Sequence, residues 1–327
     1  MRNKPEGDYL SASRIKSMES CSWAYWCNYH LKVPQPPSDA LAMGSICHEL
    51  FEILQLPKNK KHYDLIVANK TFEASSLAEK HILDGIKKYN LDDEHYQLMN
   101  KMILVGLNED FYVDGCSELL EPEFDFDISG EEYDYRVYGL MDKTAIFKKE
   151  KVVEIHDYKT SKQKFKGDDL DSNTQAMMYS LAAKKLWPKL KPIVKFIFLR
   201  FPKATVQQLE FSDDALKGFE QYLEEYYKKL INYNEDSAIS NFAADKPKPA
   251  DGSWGGCLNC GFAKYEGHLK KDGSEMWACP YKFGRVYYAI KDSNDKVRKT
   301  SLNQKDLKPK KGEKLVKMTY KGCPKFS

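Results

Sequence analysis

The sequence predicts an α/β protein, with a strand hairpin at its centre, a helical insertion ahead of it and a cysteine-rich lobe behind it. Three observations carry that expectation. Val152-Val153-Glu154-Ile155-His156-Asp157-Tyr158-Lys159-Thr160 reads as a strand, and Tyr133 to Phe147 before it is equally rich in aromatic and β-branched residues. Lys148-Lys149-Glu150-Lys151 makes a short polar turn between them, so the two runs should pair as an antiparallel hairpin. Ala40 to Gln55 and Asp171 to Leu186 carry helical spacing, while Cys257-Leu258-Asn259-Cys260 and Cys279 form a separate group.

Composition sets the outer limits. The 327 residues suffice for one large domain with insertions or two smaller ones, and 42% hydrophobic with 30% charged residues is the balance of a soluble globular protein. No stretch approaches ~18 consecutive apolar residues and no apolar signal core follows Met1. Neither a membrane span nor secretion is therefore expected, and the chain reads as cytoplasmic. Eight cysteines in such a chain point to thiols or metal ligands rather than disulfides. The net charge of +3 proves nothing about partners, but it is unevenly spread: Lys296 to Lys325 is dense in lysine and Glu118 to Asp134 is strongly acidic. A basic tail of this kind either follows a phosphate backbone or simply solvates its own end of the chain.

Along the chain, Ser11-Ala12-Ser13 opens a helix expected to run to about Tyr29, with Cys21, Trp23, Tyr25, Trp26 and Cys27 too apolar for an exposed surface. After the break Val33-Pro34-Gln35-Pro36-Pro37, the helix Ala40 to Gln55 turns Met43, Cys47, Leu50 and Leu54 to the core. His48 lies at the edge of that stripe, one turn beyond Gly44, whose missing side chain leaves room for a backbone or ligand to approach. Residues 56–70 read as a charged loop, and Phe72 to Tyr89 and Glu94 to Tyr112 as two further helices. Leu119 to Asp127 is expected as the first strand of the sheet, bringing Glu121 and Glu123 near the hairpin. Ile193 to Phe201 and Ala204 to Phe211 read as strands, Ser212 to Leu230 as a serine-capped helix, and Asn232 to Gly256 as loop. The layout is then 1–115, a helical region with the histidine motif; 116–232, the α/β core; and 233–327, the cysteine-rich lobe and basic tail.

The chemistry gathers on the hairpin. Strand alternation sends Asp157 and Lys159 to one side, and pairing brings Asp142 beside Asp157, giving two carboxylates able to hold a hard divalent cation next to an ammonium group. An acid and a lysine two apart on a strand are more often plain surface charges. Their order with other residues raises the functional reading. Gly139-Leu140-Met141-Asp142-Lys143, then Asp157-Tyr158-Lys159-Thr160-Ser161, then Gln175 and Tyr179 on one helix face resemble the PD-(D/E)XK nuclease superfamily, in particular its RecB, AddB and Cas4-like branch. The likeness extends to Gly44-Ser45-Ile46-Cys47-His48-Glu49 upstream and to the cysteines near 257–279 downstream.

The resemblance implies a restriction-endonuclease-like core, a mixed central sheet flanked by helices, and a metal-dependent DNA nuclease, most often an exonuclease trimming ends in recombination, repair or CRISPR-related processing. In that family the residues matching Asp142, Asp157, the Tyr158 carbonyl and His48 hold Mg or Mn, and Lys159 orients or helps deprotonate the attacking water. Gln175 and Tyr179 help hold Lys159 or a DNA phosphate; otherwise they are a helix edge with two ordinary hydrogen bonds. Glu123 is a second-rank third acid. The family's four cysteines match Cys21, Cys257, Cys260 and Cys279, which would carry a structural [4Fe-4S] cluster. Here, however, Gly261 to Ala278 separates the last cysteine from the Cys-x-x-Cys, a spacing nearer a zinc ribbon, with His268, Cys323 or Cys21 as fourth ligand. No Gly-x-x-x-x-Gly-Lys-Ser/Thr occurs, so unwinding would need a helicase or recombination partner, and a short stand-alone nuclease fits a phage. The rival from another class is a catalytically inactive nuclease fold that binds nucleic acid or assembles with other proteins.

Overall fold

A computed structural model describes residues 5–36, 38–246, 273 and 279–326. The chain runs through α1 (Ala12–Ser20), α2 (Ser22–Tyr25), a π-helical turn (Trp26–His30), α3 (Asp39–Gln55), α4 (Lys60–Asn69), α5 (Ser76–Tyr89) and α6 (Asp93–Asn108). Next come β1 (Glu118–Leu119), β2 (Phe124–Ser129), β3 (Arg136–Met141), β4 (Lys143–Phe147), β5 (Val152–Lys159), α7 (Asp168–Asp171) and α8 (Thr174–Leu186). The described chain ends with β6 (Lys191–Phe198), β7 (Val206–Leu209), α9 (Asp213–Ile231), α10 (Glu235–Ala238), β8 (Phe283–Lys291), β9 (Val297–Ser301) and β10 (Lys314–Gly322). It divides into two units, Met1–Ala12 with Pro37–Leu230 and Ser13–Pro36 with Ile231–Ser327.

The first unit is built on a five-stranded sheet in the order β1-β4-β5-β6-β7. Only β5 and β6 pair in parallel, so the sheet is mixed, as expected. β5 is central, and Val153, Ile155 and Tyr158 on it are buried. On one side Tyr158 shares a core with Leu50, Phe51 and Leu54 of α3, Ile82 of α5 and Ile103 of α6. Close helix packing there needs glycine: a Cβ on Gly85 would sit 2.7 Å from Ile46, and one on Gly106 2.5 Å from Phe51. α5 is closed at both ends, by Ser75 Oγ accepting from the Ala78 amide and by Asn90 in the left-handed region.

Several boundaries differ from the sequence expectation for identifiable reasons. The hairpin forms between β4 and β5, but Tyr133 to Phe147 is not one strand, because β3 leaves the sheet to pair with β2 in a separate two-stranded ribbon. Leu119 to Asp127 is likewise split, since Pro122 lacks an amide donor and Glu123 takes a φ of +53°. The expected loop at 56–70 contains α4, which buries only Ile66 and so shows little periodicity. The first helix breaks at Cys21, which is extended at φ −163°.

In the second unit, β8, β9 and β10 form an antiparallel sheet in the order β10-β8-β9 where the sequence reading placed a basic tail. Arg285-Val286-Tyr287-Tyr288-Ala289-Ile290 carried the strand signal, masked by the surrounding lysines. Trp23, Cys27, Phe242, Tyr287, Tyr320 and Cys323 make its core, tied by Trp23 Nε1 donating to the Tyr320 hydroxyl at 2.7 Å. Cys21 and Cys279 pack against that core half-buried. Burial, with Cys323, Cys279 and Cys21 nearby, pushes the Cys27 thiol up to about 12. Cys257, Cys260 and His268 lie outside the described residues, so the expected metal lobe has no structural description. Among the described residues no helix is long and apolar enough to cross a membrane.

Candidate active site

β5 turns Asp157 and Lys159 to one side, and the Lys159 Nζ lies 2.6 Å from Asp157 Oδ1. α8 supplies the rest of that cluster. Asn173 Oδ1 caps the helix by accepting from the Ala176 amide at 3.0 Å, which sets Gln175 in the first turn and Tyr179 one turn later. Gln175 Nε2 donates to Asp157 Oδ2 at 2.8 Å and to the Tyr179 hydroxyl at 2.7 Å, while Gln175 Oε1 accepts from Lys159 Nζ at 2.7 Å. The Tyr179 hydroxyl is 2.9 Å from both Asp157 Oδ2 and the Leu140 carbonyl. Asp157, only 2% exposed, is thus held by an ammonium, an amide and a phenol.

Asp142 stands at the break between β3 and β4. Lys143 faces His156 across the hairpin, so Asp142 follows as the neighbour of Asp157. Asp142 Oδ2 accepts from the Tyr158 amide at 2.9 Å and lies 3.2 Å from His48 Nδ1. His48 comes from α3, together with Gly44, where an added Cβ would meet Thr160 Oγ1 at 3.3 Å. A cavity of about 810 Å³ opens here, lined by Gly44, Ser45, His48, Glu52, Glu123 and Thr160.

The electrostatics bind the two carboxylates into one system. Burial alone would depress the His48 imidazole, but the charge and hydrogen bond of Asp142, with Asp157 behind it, lift it to about 9. Burial alone would raise Asp142, yet His48, the Tyr158 amide and Lys159 hold it below the usual carboxylate range. Asp157 moves the other way, raised first by burial and then by the Asp142 charge against the pull of Lys159. The structure therefore brings His48, Asp142, Asp157, Lys159, Gln175 and Tyr179 into one constellation.

The sequence reading missed Glu52 and ranked Glu123 second. Burial, then the charge and hydrogen bond of Glu123, raise Glu52 to about 7 on the cavity wall. Its signal was the i+4 spacing from His48, which puts both on one face of α3. Among the described residues no three His, Cys, Asp or Glu are gathered into a ready-made ion cage.

The model of the PD-(D/E)XK nuclease superfamily matches residues 9–265, a span that contains the whole constellation. The chain belongs to the PD-(D/E)XK nuclease superfamily. Membership marks it as a nuclease, a hydrolase acting on nucleic acid. No curated protein matches it in sequence. Among solved structures it is similar to a candidate exonuclease from Eubacterium rectale, at 12% identity and a TM-score of 0.46 over 73% of this chain and 85% of that one. A Vibrio cholerae protein follows at 11% identity and a TM-score of 0.22, over 68% of this chain and 58% of that one. Likenesses at that level carry no functional argument. In this PD-(D/E)XK chain the donors fit a hard divalent ion in kind: two carboxylates and an imidazole, with Asp142 still 17% exposed. A closed cage is not required, because Mg²⁺ takes one or two carboxylates and completes its shell with water and substrate phosphate.

Proposed function

We propose that this protein is a Mg- or Mn-dependent deoxyribonuclease of the RecB, AddB and Cas4-like branch, acting as an exonuclease in DNA recombination or repair. One observation carries the reading: Asp157 shares Lys159, Gln175 and Tyr179 in a single hydrogen-bonded set beside the Asp142–His48 pair. Asp142, Asp157, the Tyr158 carbonyl and His48 would hold the cation, His48 giving up the proton it keeps against Asp142. The cation supplies Lewis acidity toward water and phosphate oxygens. Gln175 and Tyr179 fix the second oxygen of Asp157 and the direction of Lys159. Lys159 would, as an ammonium, orient the attacking water and stabilise phosphate charge or, as the free amine, help deprotonate that water.

In this reading 1–115 supplies the histidine helix, 116–232 the carboxylate and lysine core, and 233–327 a metal-holding and basic appendage. Cys21, Cys257, Cys260 and Cys279 would carry a structural [4Fe-4S] cluster, or zinc in its place. Iron and zinc analysis of the purified protein, beside Cys257→Ser and Cys260→Ser, separates the two; absence of both metals removes this part of the proposal. A helicase or recombination protein would supply unwinding.

The test is cleavage of end-labelled linear and circular DNA, single- and double-stranded, with Mg or Mn, by wild type and Lys159→Ala side by side. Cation-dependent loss of linear substrate alone, abolished in the variant, is the expected result. Cleavage of circles would make it an endonuclease. Equal cutting by both proteins would show that the assigned centre is wrong.

A further inference from the structure

Charge in this chain is divided sharply by position. Phe283 to Phe326 holds 13 Lys and Arg against 4 Asp and Glu, whereas the rest of the chain holds 38 against 44. That basic segment is the folded sheet of the second unit. Tyr287 and Tyr320 turn into its core, so alternation sends Val286 and Tyr288 of β8, and Lys317, Thr319 and Lys321 of β10, to the opposite face. In register, Tyr288 stands between Lys317 and Ser301, and Val286 pairs with Thr319. Val286 is 45% exposed, and the three β10 residues are exposed.

The acids of the segment are engaged elsewhere. Asp292 pairs with Arg298 and Asp295 with Lys314, each at 2.6 Å, Asp306 accepts from Ser301 Oγ, and Glu313 accepts from the Lys310 amide. Among the described residues Lys305, Lys317 and Lys321 have no carboxylate partner within 4.0 Å. A cavity of about 560 Å³ opens on this face, with Tyr288, Leu307 and Leu315 as apolar walls and Asn303, Gln304 and Lys305 as polar ones. An aromatic ring, aliphatic walls and amides in one recess beside a row of unpaired ammonium groups match an unstacked nucleobase on a phosphate backbone.

We propose that this face of the β8–β9–β10 sheet is a single-stranded nucleic-acid-binding platform. One base stacks on Tyr288 within the recess, and the flanking phosphates lie along Lys305, Lys317 and Lys321. Duplex binds less well, because its bases are not free to enter. The site shares no residue with the catalytic constellation and does not rest on the roles given to Asp142, Asp157 or Lys159.

The experiment is fluorescence anisotropy of the full chain with a labelled oligonucleotide of about 20 nucleotides, single-stranded or as duplex, without added divalent cation and with the strand verified intact on a gel. Tyr288→Ala should weaken single-strand binding by about 10-fold, and Tyr288→Trp should keep it. Lys317→Ala with Lys321→Ala, both at exposed positions, should reduce the salt slope of binding by about 1 to 2. With no cation present the strand stays intact, so weaker binding and a lower salt slope in the lysine pair report this face and not the cleavage reading. Unchanged affinity and salt slope in the lysine pair, with unchanged circular dichroism, would overturn the proposal, as would duplex binding as tight as single strand.

Discussion

The two sides of β5 carry equally buried titratable groups and use them differently. His156 and Asp157 are adjacent, 4% and 2% exposed. On the His156 side the charges of Glu154, Lys195 and Lys143 all meet protein partners: His156 Nε2 meets Glu154 Oε2 at 2.9 Å, Glu154 Oε1 meets Lys195 at 2.6 Å, and Lys143 donates to the Phe111 carbonyl with its Nζ 4.0 Å from the Phe111 ring. On the Asp157 side the network ends at Asp142 and His48, which remain 17% and 29% exposed, and His48 lines the cavity. Burial and ion pairing alone do not mark a site; an outlet toward substrate does. Substitutions on the two sides should therefore read out in different assays.

The largest effect is expected from Asp157→Asn. It keeps the shape and accepts hydrogen bonds through one atom only, and it removes the charge that faces Lys159. Cleavage should fall by about 10³-fold, the scale of losing one preorganised electrostatic group. The urea unfolding midpoint should move by no more than the equivalent of about 1 kcal/mol, since Asp157 already carries a raised pKa and gains little by being ionised. A large stability loss with full cleavage per folded molecule would place Asp157 with His156 among structural charges.

This comparison also shows what the chain disclosed before its structure was known. Asp157, Lys159, Gln175 and Tyr179 were legible because strand and helix periods are local, and each pair sits within one element. The mixed sheet was legible only through the resemblance to the PD-(D/E)XK nucleases, because the parallel pairing of β5 with β6 joins segments distant in sequence. The role of Lys143 as a buried cation was not, because its environment comes from Phe111, 32 positions away. Glu52 was hidden by the reverse problem: its spacing from His48 was visible, but the turn at Glu123 that completes the pair depends on β2 leaving the sheet. The second sheet escaped notice because lysine on an outward strand face looks like a solvated tail until a core is found beneath it.

Lys143→Met tests the closed side. Burial lowers Lys143 from 10.5 to about 7. Below about pH 7 both folded and unfolded chains hold the proton, and the cost of burying the charge is present in full. Between about 7 and 10.5 the unfolded chain binds more protons, so stability rises with pH and the cost disappears. The methionine variant should be more stable by about 1–4 kcal/mol at pH 6, with the gain shrinking toward pH 9.5, and cleavage should change little. A gain that does not depend on pH would trace to packing rather than charge.

Tyr179→Phe sharpens the open side. The hydroxyl accepts from Gln175 and reaches Asp157 and Leu140, so its loss frees the amide that directs Lys159. Cleavage should fall by about 10-fold and stability by about 1 kcal/mol, the net worth of one buried hydrogen bond. An unchanged rate at that stability cost would make the phenol a packing residue.

The smallest effect is expected at Glu52, and its pH dependence runs opposite to that of Lys143. Burial and Glu123 raise Glu52 from 4.5 to about 7, so the folded chain holds the proton more tightly than the unfolded one between those values. Stability then falls as pH rises through that window, and the cost of the second charge is full only above about 7. Glu52→Gln keeps a donor toward Glu123 and removes the ionisation, so it should gain about 1 kcal/mol at pH 8 after solvent screening and nothing at pH 4. Urea unfolding at the two pH values decides it. A gain at pH 4 equal to that at pH 8 would mean that Glu52 and Glu123 share no proton, and the cavity wall would then carry two independent solvated acids.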